Sequence, residues 1–185
     1  TATTNSIDKL REIYTIPFIG IEPATKPAAI NTKSGKIGIL ATKGTLASEL
    51  FLNTSEKYRG DIEIIETIGT GLVAIIESGN LDKAEPLLRK YLQPMIDKNV
   101  DNIVLGCSHY PFLNAVIKRI IPTKITIIDS GEAVAKQTEN ILKDSDILNL
   151  TEAPSKHLFY TNAQHYILEM FLKKIHAANY SIQSL

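Results

Sequence analysis

The chain has 185 residues, 44% hydrophobic and 22% charged, enough to bury a core in one domain or two small ones. Twenty Lys and Arg balance twenty Asp and Glu with no basic block, which argues against nucleic acid or an anionic membrane as the main partner and favours a small molecule. No apolar run reaches the ~20 residues that span a bilayer, and residues 1–4 lack the basic start and apolar stretch of a signal peptide, so the sequence reads as cytoplasmic.

Residues 4–14 place Ile7, Leu10 and Tyr14 at helical spacing, and the apolar run 16–21 follows as a short buried strand. A short helix is expected after Glu22-Pro23, then a polar turn over 31–35 and a strand over 36–41, the clearest of the first half. Beyond Thr42-Lys43-Gly44-Thr45, the spacing of Leu46, Leu50 and Phe51 predicts a helix, residues 61–66 a strand and 72–78 a helix start. Residues 81–98 read as one amphipathic helix with Leu87, Leu88, Tyr91, Leu92 and Met95 on its apolar side, and 102–106 as a buried strand that delivers Cys107. Helix 112–120, strand 124–128, helix 132–142, strand 157–161 and helix 166–175 complete the pattern. Strands alternating with amphipathic helices predict an α/β fold of parallel sheets covered on both faces, with ligands bound beyond the carboxyl ends of the strands.

Two segments lie at such strand ends: Thr42-Lys43-Gly44-Thr45 and Gly106-Cys107-Ser108-His109-Tyr110-Pro111. Cys107 is the single cysteine of the sequence, so it forms no internal disulfide and gives too few ligands for structural zinc. A lone cysteine is commonly a small buried hydrophobe. Here the polar Ser108 and His109 follow at once, as expected where a strand ends in a site, and a thiol beside an imidazole serves as base or nucleophile. A helix N-terminus after Cys107 would favour the thiolate, and Gly106 would leave room for a substrate backbone. The Thr-Lys-Gly-Thr turn is either a carboxylate cradle of hydroxyls and amides or a simple cap formed by Thr45. Asp129-Ser130-Gly131-Glu132 reads as a cap, and His157, His165 and His176 as structural or surface residues with no metal-ligand spacing.

The run 105–113, centred on Gly106-Cys107-Ser108-His109-Tyr110-Pro111, resembles the second cysteine motif of the glutamate racemases, within the aspartate/glutamate racemase superfamily. Residues 16–28 are similar to that family's post-helix strand, 41–45 to its threonine turn and 128–135 to its domain-crossing segment, and residues 69–77 give a looser match. The family usually carries Thr after this cysteine; Ser108 keeps the hydroxyl.

This resemblance implies two similar three-layer α/β domains with mainly parallel sheets. Residues 27–129 would form a complete second domain, and residues 1–26 with 130–185 the remnant of an incomplete first one. It implies cofactor-independent interconversion of L- and D-glutamate by two cysteines, without metal or pyridoxal, supplying D-glutamate for peptidoglycan, cell-wall growth and cell shape. Cys107 would be the thiol that works on L-glutamate, His109 its assistant and Glu77 a supporting carboxylate, with Thr42, Thr45, Ser108 and Thr1 binding substrate; a homodimer is in keeping with the family. Thr1-Ala2-Thr3 is similar to the tail of the family's Cys-Asn-Thr motif, so the chain is expected to be a fragment lacking the first cysteine, aggregation-prone and inactive alone. The alternatives are an aspartate or hydantoin racemase, a non-catalytic amino-acid-binding fragment, and a hydrolase using Cys107 with His109, for which the sequence offers no evident third orienting group.

Overall fold

The computed structural model describes residues 2–151 and 155–185. Helices α1 (Ala2–Ile13) and α2 (Thr25–Asn31) precede strand β1 (Lys36–Ala41). Helices α3 (Lys43–Leu46) and α4 (Glu49–Glu56) lead to β2 (Glu63–Ile68), and α5 (Leu72–Glu77) and α6 (Glu85–Asp97) lead to β3 (Asn102–Gly106). Then come α7 (Asn114–Ile120), β4 (Thr126–Ile128), α8 (Gly131–Asp144), β5 (His157–Thr161), α9 (His165–Lys174) and β6 (Tyr180–Ser184).

Strands β1 to β4 form one parallel sheet in the order β2-β1-β3-β4. The pleat of its central strands sorts side chains to two faces. Leu40, Ile103 and Leu105 point into a core with Leu72, Ile76, Leu88, Leu92 and Ile117, whereas Ile37, Ile39, Ala41 and Val104 point into a second core with Ala28 and Phe51. Both faces are therefore covered by helices, as a parallel sheet requires, and burying each large aliphatic side chain contributes about 1.5–3 kcal/mol.

The chain leaves β1 to one side for β2 and returns to its other side for β3, so the strand order reverses between β1 and β3. Ala41 and Gly106 are register partners at that point. The carboxyl ends of these two strands open the crevice in which α/β sheets bind ligands.

Strands β5 and β6 make a separate two-stranded parallel sheet, connected through α9. Leu158 and Tyr160 on β5 and Tyr166 and Ile175 around α9 are 47%, 52%, 65% and 61% exposed, and α8 has no fully buried residue. Apolar surface is thus open on this side of the molecule.

Four local expectations are corrected. Residues 16–21 form no strand; they run past α1, held by Arg11 donating to the Phe18 carbonyl (3.0 Å) and by the Ile21 amide donating to Thr3 Oγ1 (3.4 Å) rather than by a neighbouring strand. The second strand starts at Glu63 because Asp61 and Ile62 both donate to the Tyr58 carbonyl, finishing the turn after α4. The 81–98 helix divides into a 3-10 turn at Leu81–Ala84 and α6, whose first turn holds Pro86, a residue with no amide to spend there. Likewise a 3-10 turn at Tyr110–Leu113, opened by Pro111, comes before α7.

Candidate active site

Cys107 leaves the end of β3, and its loop is tightly built. The Tyr110 amide donates to the Cys107 carbonyl and the Phe112 amide to the His109 carbonyl, both at 3.1 Å. The Tyr110 ring is completely buried and its hydroxyl donates to the Gly69 carbonyl (3.1 Å), just beyond β2. Burial, with the proximity of Cys107 and Tyr91, pushes the Tyr110 phenol well above its ordinary range, so it remains a neutral donor. A Cβ on Gly69 would lie 2.8 Å from Tyr110 Cζ and 2.9 Å from Leu72 Cδ1, so only glycine lets the ring in.

Within that frame Cys107 Sγ lies 4.0 Å from His109 Nδ1, and His109 Nε2 lies 3.2 Å from Glu77 Oε1. The three groups stand in line: thiol, imidazole, carboxylate. Glu77 is the last residue of α5, so the helix after β2 brings it to a histidine on the loop after β3. This supplies the third orienting group that the local sequence around Cys107 lacked. A carboxylate on one ring nitrogen selects the proton position on the other and stabilises an imidazolium. The array is suited to deprotonating the thiol, or to passing a proton to and from it.

The thiol faces a cavity of about 140 Å³ lined by Thr45, Leu105, Gly106, Cys107, Ser108 and Pro111, and on its other wall by residues 21–23 and 129–131. Three of the expected site residues, Cys107, Ser108 and Thr45, thus share one cavity. Thr45 reaches it through Thr42, which caps α3 by accepting from the Thr45 amide (3.2 Å) and lies 3.0 Å from the Thr45 hydroxyl. The cap is therefore Thr42, not Thr45, and Thr42 does not line the cavity. Thr1 lies outside the described residues.

Two further readings gain detail. Gly106 lines the cavity, and a Cβ there would come within 2.7 Å of Ala41 Cβ and 3.2 Å of Pro23 Cγ, so the glycine lets the 21–23 segment close over the strand ends. The 129–131 segment does cap, with Asp129 Oδ1 accepting from the Gly131 amide (2.8 Å), but Ser130 donates instead to the Glu22 carbonyl and so ties the two parts of the far wall together. Glu22 and Pro23 were not foreseen as part of the site. The reversal of strand order was the signal that could have placed them, because whatever crosses the β1/β3 crevice must line it.

A larger hollow, about 750 Å³, lies between α1, residues 14–20 and α8. It is lined by neither Cys107 nor His109. Among the described residues there is no group of three His, Cys, Asp or Glu side chains placed to hold a metal ion, and no helix long and apolar enough to cross a membrane.

Residues 2–138 match the model of the Asp/Glu/Hydantoin racemase family. The chain is 40% identical over 151 residues to a glutamate racemase of Herpetosiphon aurantiacus, covering 80% of this chain and 59% of the relative. It is 40% identical over 178 residues to one of Pseudomonas putida strain GB-1, covering 93% of this chain and 66% of the relative. It therefore spans less than two thirds of the length of these relatives. Among solved structures, glutamate racemase isoform RacE1 of Bacillus anthracis superimposes with a TM-score of 0.81 at 28% identity, over all of this chain and 70% of that one. The Escherichia coli glutamate racemase, solved with L-glutamate and the activator UDP-MurNAc-Ala, gives 0.79 at 26% identity over the same shares.

Proposed function

The chain belongs to the Asp/Glu/Hydantoin racemase family, and from that premise we propose that it carries one half of a glutamate racemase site, with Cys107 as the base that works one face of the substrate's Cα. The observation that carries this reading is the line Cys107–His109–Glu77 opening on the cavity shared with Thr45 and Ser108. The names of the relatives favour glutamate over aspartate or a hydantoin.

In the proposed step the Cys107 thiolate takes the Cα proton of L-glutamate, leaving a carbanion whose charge spreads into the α-carboxylate. No resident cofactor is needed in this scheme; hydrogen-bond donors around the carboxylate carry the stabilisation. Thr45 and Ser108 are assigned to the substrate's polar groups, and residues 27–129 are read as the domain that presents them. Return of a proton to the opposite face needs a second group, because one thiol cannot reach both faces. Cys107 is the single cysteine of residues 1–185, and the proposal assigns the second base to the part of the relatives' length that this chain does not span. The product, D-glutamate, would serve peptidoglycan synthesis. The Cys-His-Glu line would also suit a thiol hydrolase, but family membership speaks for proton transfer.

The test is deuterium incorporation at Cα, followed by proton NMR in heavy water with each glutamate enantiomer supplied separately. Exchange into L-glutamate that disappears in Cys107→Ser is the expected result. Exchange that survives this substitution would remove Cys107 from the mechanism.

A further inference from the structure

The line Cys107–His109–Glu77 is half open to solvent: the His109 side chain is 36% and the Glu77 side chain 61% exposed. An exposed carboxylate and an exposed imidazole lose rotamer freedom when they pair, so something must hold their backbones in register. The α5 helix packs directly on the Tyr110–Leu113 turn, and a further element, outside the four-stranded sheet, lies against the chain beside each partner.

Helix α9 touches the chain next to each partner. On the histidine side, Phe112, whose amide is bonded to the His109 carbonyl, packs its ring against Phe171 of α9 with centroids 4.4 Å apart and planes at 46°. On the carboxylate side, Gly79 ends the turn after α5 with φ +76°, its amide donating to the Ile76 carbonyl (2.9 Å). The position a Cβ would occupy there is 3.3 Å from Met170 Sδ and 3.7 Å from Ile167 Cδ1, both on α9. Successive residues of one helix, Met170 and Phe171, thus press on the end of the Glu77 helix and on the His109 turn.

We propose that Phe171, with Phe112 and Met170, is a positioning residue for the catalytic line: α9 acts as a clamp that fixes the separation of Glu77 and His109. The proposal rests on the reading of Cys107–His109–Glu77 as the working groups. Its consequence is that the C-terminal β5–α9–β6 unit, which contributes no group to the cavity around Cys107, sets the reactivity of the thiol from a distance. Glu77 fixes the orientation of the His109 ring beside the thiol, and a loosened pair lets the ring turn away from it. Misplacement by about 1 Å of a group that is not itself reacting is enough to cost up to about 10²-fold.

The experiment measures the rate of Cys107 alkylation by iodoacetamide in the 185-residue chain between pH 6 and 9, with circular dichroism of each variant as the check on folding. Glu77→Gln gives the reference for a broken line. Phe171→Ala is expected to slow alkylation about tenfold and to reproduce the pH dependence of Glu77→Gln, while Phe171→Tyr, which keeps the ring, returns the parent rate. Tyr166→Ala, on the exposed side of α9, leaves the rate unchanged. Where Phe171→Ala does not fold, Phe171→Leu carries the test with an expected slowing of about threefold. A folded Phe171 variant with the parent rate, alongside a slowed Glu77→Gln, overturns the clamp alone. Unchanged alkylation in Glu77→Gln overturns the catalytic line itself, and the clamp with it.

Discussion

Replacing Gly69 by Ala tests the frame of the Cys107 loop, because the added methyl would meet Tyr110 Cζ at 2.8 Å and Leu72 Cδ1 at 2.9 Å inside the core. Overpacking of this kind costs about 1–3 kcal/mol. Tyr110→Phe alone removes the buried hydroxyl from the Gly69 carbonyl and should cost about 1–2 kcal/mol, the penalty for leaving a buried acceptor without its donor. The two effects share one contact, since the hydroxyl points at the same residue that receives the methyl. In the double variant the hydrogen bond is absent once and the tightest contact is relieved, so the combined loss should fall short of the sum by about 1 kcal/mol. Urea unfolding followed by circular dichroism gives the four stabilities. In a chain of this size each kcal/mol lowers the melting temperature by about 2–4 °C, so the single variants are separable by heat as well. Losses that add to within about 0.3–0.5 kcal/mol would mean that Gly69 and Tyr110 do not meet as described.

Asp101, at the opposite end of the sheet, accepts from Thr32 Oγ1 and from the Lys33 and Ser34 amides. Burial pushes its carboxyl up, but these hydrogen bonds outweigh burial and hold it below the ordinary value of 3.8. A depressed folded value means that its stabilisation is complete above the unfolded value and lost as pH falls through the folded one. Asp101→Asn should therefore destabilise by about 1.5–3 kcal/mol at pH 7, with the gap to the parent closing below pH ~3.8 in acid titration of the unfolding midpoint. Thr45→Val should raise the apparent Michaelis constant for Cα exchange about 10-fold or more while the circular dichroism spectrum is kept; an unchanged constant would take Thr45 out of the binding site. Ser48→Ala removes the cap that accepts from the Phe51 amide (3.3 Å) and should cost about 1 kcal/mol, read from thermal melts.

The central strands were legible because Ile37 to Ala41 and Ile103 to Leu105 are apolar over their whole length, the pattern of a strand buried on both faces. Residues 16–21 carry a similar pattern yet form no strand and none of them is buried, with Ile16 63% exposed, which shows that an apolar run secures neither burial nor pairing without a neighbour to pack on. Strand β6 was missed although Tyr180 and Ile182 alternate with polar residues, a period-two signal short enough to overlook. Cys107, Ser108 and His109 could be read as a site because they are contiguous and polar at a strand end. Glu77 precedes His109 by 32 residues, and no local pattern ties them; the resemblance supplied that carboxylate, and the packing of α5 beside the β3 loop explains it. The 21–23 and 129–131 walls were invisible as a site because their place depends on the strand order and not on their own composition.

The partners of β5 and β1 are made at different times during synthesis. Strands β1 to β4 are all present once residue 128 has left the ribosome, and that sheet can assemble while the rest is still being translated. Strand β5 pairs with β6 alone among the described residues, and 18 residues, including α9, separate them. A parallel pair cannot form through a tight hairpin, so β5 is synthesised well ahead of β6, its partner among the described residues. Vectorial synthesis therefore completes the strands of the sheet around Cys107 before the β5–β6 pair can close, so the two sheets are assembled in sequence rather than together.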